Sequence, residues 1–144
     1  KGHDGFLGNS IIGMWCNLGA DTNTSNLKNN YGDVRMWNYS AKEMRSTGLT
    51  FCGLIMGDHS KCSINTMFNT GTTVGVSANV FGAAFPPKFI PSFSWGGAEK
   101  MTTYDLQKAI ETAERVCARR GVAFGEEDRR VFQEVFAKTS GFRD

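Results

Sequence analysis

Few side chains in this sequence can do bond-making chemistry. Two histidines, His3 and His59, are its only imidazoles, and an imidazole exchanges a proton near neutral pH. On periodicity alone, a lone histidine is more often structural or solvated than catalytic. The four cysteines, Cys16, Cys52, Cys62 and Cys117, form no CxxC pair and show no metal-ligand spacing with the histidines. Set among small or apolar neighbours, they read as buried, reduced thiols, so no metal is expected. Asn17, Asn26 and His59 are polar where the surrounding pattern demands nothing polar. Arg115, Arg119, Arg120, Arg129 and Arg130 concentrate positive charge near the C-terminus. They read either as a solvated helical face or as a phosphate or subunit contact.

The elements that must position these residues show a period of six. Phe6, Ile12 and Leu18 form one series; Met56, Cys62, Phe68, Val74 and Val80 form another. Four places after each of the first seven stand Ser10, Cys16, Thr22, Ser60, Thr66, Thr72 and Ala78, all small. Gly13, Gly19, Gly57 and Gly75 follow directly after a marked residue. A large apolar residue, then glycine, with a small residue in the fifth place, is the hexapeptide signature of a parallel β-helix. Each hexad makes one short strand and one corner. The large residue points into a narrow prism, the small one fills what remains, and Gly or Asn accommodates the corner. Three hexads close a coil, and coils stack at the ~4.8 Å strand spacing. The expected fold is mainly β: a left-handed parallel β-helix with an inserted loop and a C-terminal α-helical hairpin.

The β-helix is assigned to residues 1–97. Its period breaks at about 27–50, an insertion rich in Asn, Lys, Arg and aromatics, where Trp37 and Tyr39 either bind a ligand or pack the loop on the prism. The hexads end at Val80, and residues 81–97, with Pro86-Pro87, Pro91 and Trp95-Gly96-Gly97, are expected to cap the prism as an irregular crossing. Residues 98–144 form the helical hairpin. Thr102 or Thr103 is the expected N-cap of a first helix reaching about Arg120, with Gly121 as its stop. A second helix runs from about Glu126 to Ser140, with Val131, Phe132, Val135 and Phe136 as its buried face.

Composition bounds the function. In 144 residues, hydrophobic types make up 40% and charged types 21%, and the net charge is +2. One folded domain follows, and that charge alone points to neither nucleic acid nor an anionic membrane. No apolar run approaches the ~18 residues of a membrane span. The chain opens at Lys1-Gly2-His3, which reads as a processed chain, a fragment or part of something longer.

Gly2-His3, Leu7-Gly8-Asn9, Ile12-Gly13, Asn17-Leu18-Gly19-Ala20-Asp21-Thr22 and Thr24-Ser25-Asn26-Leu27 together resemble, without a gap, the left-handed β-helix domain of the bifunctional GlmU family. That family combines glucosamine-1-phosphate acetyltransferase with uridylyltransferase activity. Asn26-Leu27-Lys28-Asn29-Asn30-Tyr31-Gly32 and Phe51 to Asp58 look like a GlmU-like branch of sugar nucleotidyltransferases. The resemblance implies acetyl transfer from acetyl-CoA to the amine of an amino-sugar phosphate in a cytoplasmic homotrimer. It makes His3 the general base and Asn26 a group near the thioester, orienting the acetyl group or donating to the developing oxyanion. Asn17 becomes a sugar-phosphate contact, joined by Phe6 and Lys28, while Ala20, Ser63 and Gly82 fall to the coenzyme groove. Phe6 stands where the family has a tyrosine, and Leu27 replaces the tyrosine after Asn26. The family's phosphate-holding cations lie upstream of the matched histidine, leaving Lys28, Lys61 or Arg35 as substitutes. The alternative is a non-catalytic β-helix that trimerises or regulates a sugar-phosphate nucleotidyltransferase.

Overall fold

The computed structural model describes residues 3–143. Twelve of its fourteen strands stack on three faces. The first face holds β1 (Phe6–Leu7), β4 (Asn23–Thr24) and β9 (Met67–Phe68). The second holds β2 (Ile11–Ile12), β7 (Ile55–Met56), β10 (Thr73–Val74) and β12 (Phe89–Ile90). The third holds β3 (Asn17–Leu18), β8 (Lys61–Cys62), β11 (Asn79–Val80), β13 (Ser94–Gly96) and β14 (Met101–Thr103). Up to β13, consecutive strands of the coil lie on different faces and stacked strands pair in parallel, so the chain winds as a three-faced coil. Only β14 joins antiparallel.

Register identifies the inward column. Ile12 faces Met56, and Met56 faces Val74; Leu18 faces Cys62, and Cys62 faces Val80. Their side chains meet in one core cluster with Phe68, Leu54 and Ile90. The first rung departs from strict hexads: Leu7, not Phe6, pairs with column residue Thr24, and Phe6 points outward. Buried Thr24 in turn pairs with Phe68, so a polar residue occupies one inward slot.

The left-handed backbone corners fall elsewhere than expected. Trp15 (φ 60°), Asp21 (57°), His59 (60°), Asn65 (57°), Gly71 (64°), Ser77 (53°) and Phe93 (58°) each stand three places after an inward residue. The glycines directly after inward residues serve close approach between coils: a Cβ on Gly19 would lie 2.3 Å from Ile64 N, and one on Gly75 2.3 Å from Ser92 N. The small fifth-place residues do face inward and also staple coils together. Ser60 Oγ donates to Gly75 O (2.6 Å) and accepts from Ala78 N–H (2.9 Å).

The coil continues past Val80. Phe89–Ile90 pairs with β10, and Trp95 and Gly96 pair with β11. The segment expected as an irregular cap therefore adds another rung, reached after a turn shorter than three full hexads. The insertion is an antiparallel hairpin of β5 (Arg35–Asn38) and β6 (Glu43–Ser46), closed at its neck by a Leu27–Phe51 bridge. Trp37 stacks on Phe89 at 4.1 Å, and Tyr39 meets Phe89 and Phe142 edge-on, each at 5.6 Å. These rings fasten the hairpin to the coil.

The tail forms α1 (Leu106–Ala118) and α2 (Glu126–Lys138). Asp105 caps α1, its carboxylate accepting the Lys108 N–H at 2.9 Å. Thr102 and Thr103 cannot, because they belong to β14 and pair with Trp95 and Ser94. Gly121 takes φ 67° at the α1 terminus, where Gly121 N–H reaches Ala118 O and Val122 N–H reaches Cys117 O, a Schellman closure. Along α2, Phe132 is buried but Val131 is 59% exposed. The helix meets the coil through Phe132, Val135 and Phe136, a narrower face than expected. Both helices dock on the aromatic corner: Phe93 packs with Ala109, Ile110, Ala113 and Phe132.

Candidate functional site

The opening coil carries the expected chemistry. His3 is exposed and precedes β1. Its carbonyl accepts the Asp21 N–H at 2.7 Å, which ties it to the corner between β3 and β4. His3 and Phe6 share a shallow concavity with Asp4, Leu18 and Thr22, of about 270 Å3. Gly2, beside His3 in sequence, lies outside the described residues.

Phe6 also reaches Asn26. A Cβ on Gly8 would lie 2.5 Å from the Phe6 ring and 2.7 Å from Asn26 Nδ2, so ring and amide converge over that glycine. The Asn26 amide donates to Asn9 Oδ1 at 2.7 Å, and Gly8 N–H donates to Thr24 Oγ1 at 3.2 Å. Phe6, on the edge strand β1, thus lies between His3, which precedes that strand, and Asn26, which follows its parallel neighbour β4. The roles of Gly8 and Asn9 were not legible beforehand. Their signal is the short first rung, which brings the Leu7 turn under the Thr24 turn.

The other expected residues lie apart from this edge. Asn17 points outward on the third face, paired in register with Lys61, and lines a different crevice with Trp15, Arg119 and Arg120. Lys28 Nζ donates to Asp33 O within the insertion, away from His3. Ala20, Ser63 and Gly82 follow β3, β8 and β11, three stacked strands, and so climb one edge of the coil together. Ala20 O accepts Asn65 N–H (2.8 Å), and Ser63 N–H donates to Val80 O (2.9 Å). Gly82 is exposed with φ 107°.

Burial sets the electrostatics of the remaining titratable groups. It raises the Cys16, Cys52 and Cys117 thiols above their ordinary range, and no disulfide joins any of the four cysteines. Thiols held protonated in this way are poor nucleophiles. His59 is buried at a corner, stacked on Trp15 (6.2 Å) and edge-on to Phe132 (5.1 Å) and Phe124 (5.8 Å). Burial and then Lys61 lower its pKa, while Asp58 and Asp128 partly oppose them. His59 is therefore a packing residue. Of the two imidazoles, only His3 stands open to a ligand. What the edge can offer chemically is proton transfer by an accessible imidazole, with an aromatic ring between it and an amide.

No protein-family model matches the chain. Curated proteins named bifunctional protein GlmU do. The one from Methanocaldococcus jannaschii is 37% identical over 73 residues, covering 51% of this chain and 17% of that protein. The Methanococcus aeolicus protein is 29% identical over 106 residues, 74% of this chain and 21% of that one. The Methanococcus maripaludis protein is 37% identical over 81 residues, 56% of this chain and 19% of that one. The chain thus spans about a fifth of the length of the curated relatives it matches. It is similar to part of these bifunctional proteins, and no helix among its described residues is long and apolar enough to cross a membrane.

Proposed function

We propose that the chain is the acyl-transferring part of a GlmU-like cytoplasmic enzyme, moving the acetyl group of acetyl-CoA onto the amine of an amino-sugar phosphate. The observation that carries this reading is the convergence of Phe6 with His3 in one concavity and with Asn26 over Gly8. In the reaction, the acceptor nitrogen attacks the thioester carbonyl and a C–N bond replaces the C–S bond. His3 takes the proton released from nitrogen and returns it to the departing thiolate. Asn26 orients the thioester oxygen as negative charge develops there. No covalent enzyme intermediate is needed, because holding amine and thioester side by side removes most of the entropic cost. The raised cysteine pKa values support a direct transfer.

The coenzyme lies along the edge climbed by Ala20, Ser63 and Gly82. The coil winds left-handed and assembles as a cyclic trimer, with each reaction groove between neighbouring coils. Its outward apolar residues support that assembly. Ile11 is 66% exposed and Ile64 64% exposed, with Met14 and Met67 also open, a surface that favours a partner over water.

A second reading, a non-catalytic trimerisation or regulatory domain, draws on a specific observation. The Asn26 amide is engaged by Asn9 and the Lys28 ammonium by the Asp33 carbonyl, so one group expected near the thioester and one expected at the acceptor already have partners. The discriminating experiment incubates the full-length protein with acetyl-CoA and glucosamine 1-phosphate and follows free thiol together with the N-acetylated sugar. Stoichiometric appearance of both supports transfer. Absence of turnover together with absence of coenzyme binding assigns the scaffold role.

A further inference from the structure

A second crevice lies between the third face and the C-terminal turn of α1. It encloses about 540 Å3, within the range of small-molecule sites. Asn17, Lys61, Arg119 and Arg120 line it, with Trp15 and Val116 on its apolar side. No carboxylate lines it. The tail's ion pairs, Arg129–Glu114 and Lys138–Glu134, lie elsewhere, and among the described residues Lys61, Arg119 and Arg120 have no acidic partner. Lys61 Nζ donates one hydrogen bond, to His59 O at 2.8 Å, leaving the rest of its donor capacity. Asp58, in the adjoining corner, accepts the Met14 N–H at 2.7 Å.

Three cations, the exposed Arg119 and Arg120 and the more buried Lys61, line one hollow without an anion among its lining residues. Burial lowers the pKa of Lys61, and an anionic ligand relieves that penalty. The Schellman closure at Gly121 and Val122 occupies the Ala118 and Cys117 carbonyls, which weakens the negative end of α1 beside the crevice. Guanidinium forks match phosphate oxygens in pairs, and the ammonium adds a point charge.

We infer that Lys61, Arg119 and Arg120, with the Asn17 amide, form a binding site for the phosphoryl group of a small organic phosphate. The cations line one half-open hollow beside Trp15 instead of forming a stripe, which suits a small ligand over a nucleic-acid backbone. Trp15 gives the organic portion an aromatic wall. Asn17 and Lys61, candidates for the sugar phosphate on sequence resemblance, line this crevice and not the His3 concavity, so the site stands whether or not acetyl transfer occurs at His3.

Calorimetric titration of the full-length protein at low salt tests it, with inorganic pyrophosphate as the probe. Inorganic phosphate and glucosamine 1-phosphate form parallel arms that separate a pyrophosphate ester from a phosphomonoester. Saturable binding is expected in at least one arm. The double variant Arg119→Gln/Arg120→Gln should weaken it about tenfold or more. Both side chains make no other polar contact among the described residues, so this variant should keep its fold, checked by circular dichroism. Lys61→Gln should weaken binding similarly, and Arg130→Gln on α2 should leave it unchanged. Failure to saturate in all three arms overturns the inference. So does affinity unchanged in the double variant, an equal loss in Arg130→Gln, or binding of RNA in preference to every small phosphate. Loss of acetyl transfer with retained phosphate binding would remove the proposed reaction and leave this site standing.

Discussion

The opening coil and the later coils share one register but not one environment. Leu7 is 55% exposed, whereas Phe68, two rungs further along the same face, is 1% exposed. Ile12 and Leu18 are half-buried, while Met56, Val74 and Val80, stacked above them, are sealed. The hexad pattern decides which way a side chain points. Burial comes from the coils on either side, and among the described residues the opening coil is stacked on one side only. The expected catalytic residues lie on this loosely covered coil, and the stability resides in the sealed ones.

This contrast can be broken by truncation along the same stack. Phe68→Ala removes a fully buried ring from the middle of the column and should cost about 3–5 kcal/mol, read as a lower urea midpoint with unchanged slope. Trp37→Ala loosens the insertion hairpin from Phe89 and should cost roughly 2 kcal/mol, because this ring is only half-buried. Leu7→Ala should cost less than about 1 kcal/mol, since most of that side chain already meets water. If Leu7→Ala equals Phe68→Ala in cost, the two regions are not different in the way described.

A smaller effect sharpens the comparison through pH. His59 sits under the helical hairpin, faced by Trp15, Phe124, Phe132, Asp58, Lys61 and Asp128. Its pKa is lowered from the ordinary 6.5 in the folded chain. The unfolded chain therefore takes up the proton first as pH falls. The stabilisation due to neutral His59 is complete above about 6.5 and is lost as pH falls through the folded value. Thermal melts across this range should show a fall in Tm that His59→Gln flattens. A fall unchanged by that substitution would place the acid sensitivity elsewhere.

The inward column was legible because its period is regular: Ile12, Leu18, Met56, Cys62, Phe68, Val74 and Val80 all meet in the core or stack into it. It was lost where the spacing or chemistry changed. The first rung is one residue short, which moved the inward slot from Phe6 to Leu7. Thr24 is inward but polar, so the apolar series in the sequence stops at Leu18. The rung at Phe89–Ile90 and Ser94–Gly96 follows a shortened coil whose prolines suggested irregular chain. Gly71 and Asn65 do turn corners, but the glycines directly after inward residues serve stacking through their lack of a Cβ, and Trp15, His59 and Phe93 turn corners in their place. In the site, His3 and Asn26 were identifiable by type, but their link through Phe6 and Gly8 depends on stacking between turns. The crevice of Asn17, Lys61, Arg119 and Arg120 joins three distant segments, a proximity that composition and local spacing do not encode.

The most direct test of the account measures turnover and melting temperature together for His3→Ala and Leu7→Ala in the full-length protein. The account predicts that His3→Ala lowers acetyl transfer by about 10²–10⁴-fold with Tm unchanged, while Leu7→Ala leaves turnover near the unsubstituted value. Transfer unaffected by His3→Ala, or activity in both variants following Tm alone, would contradict it.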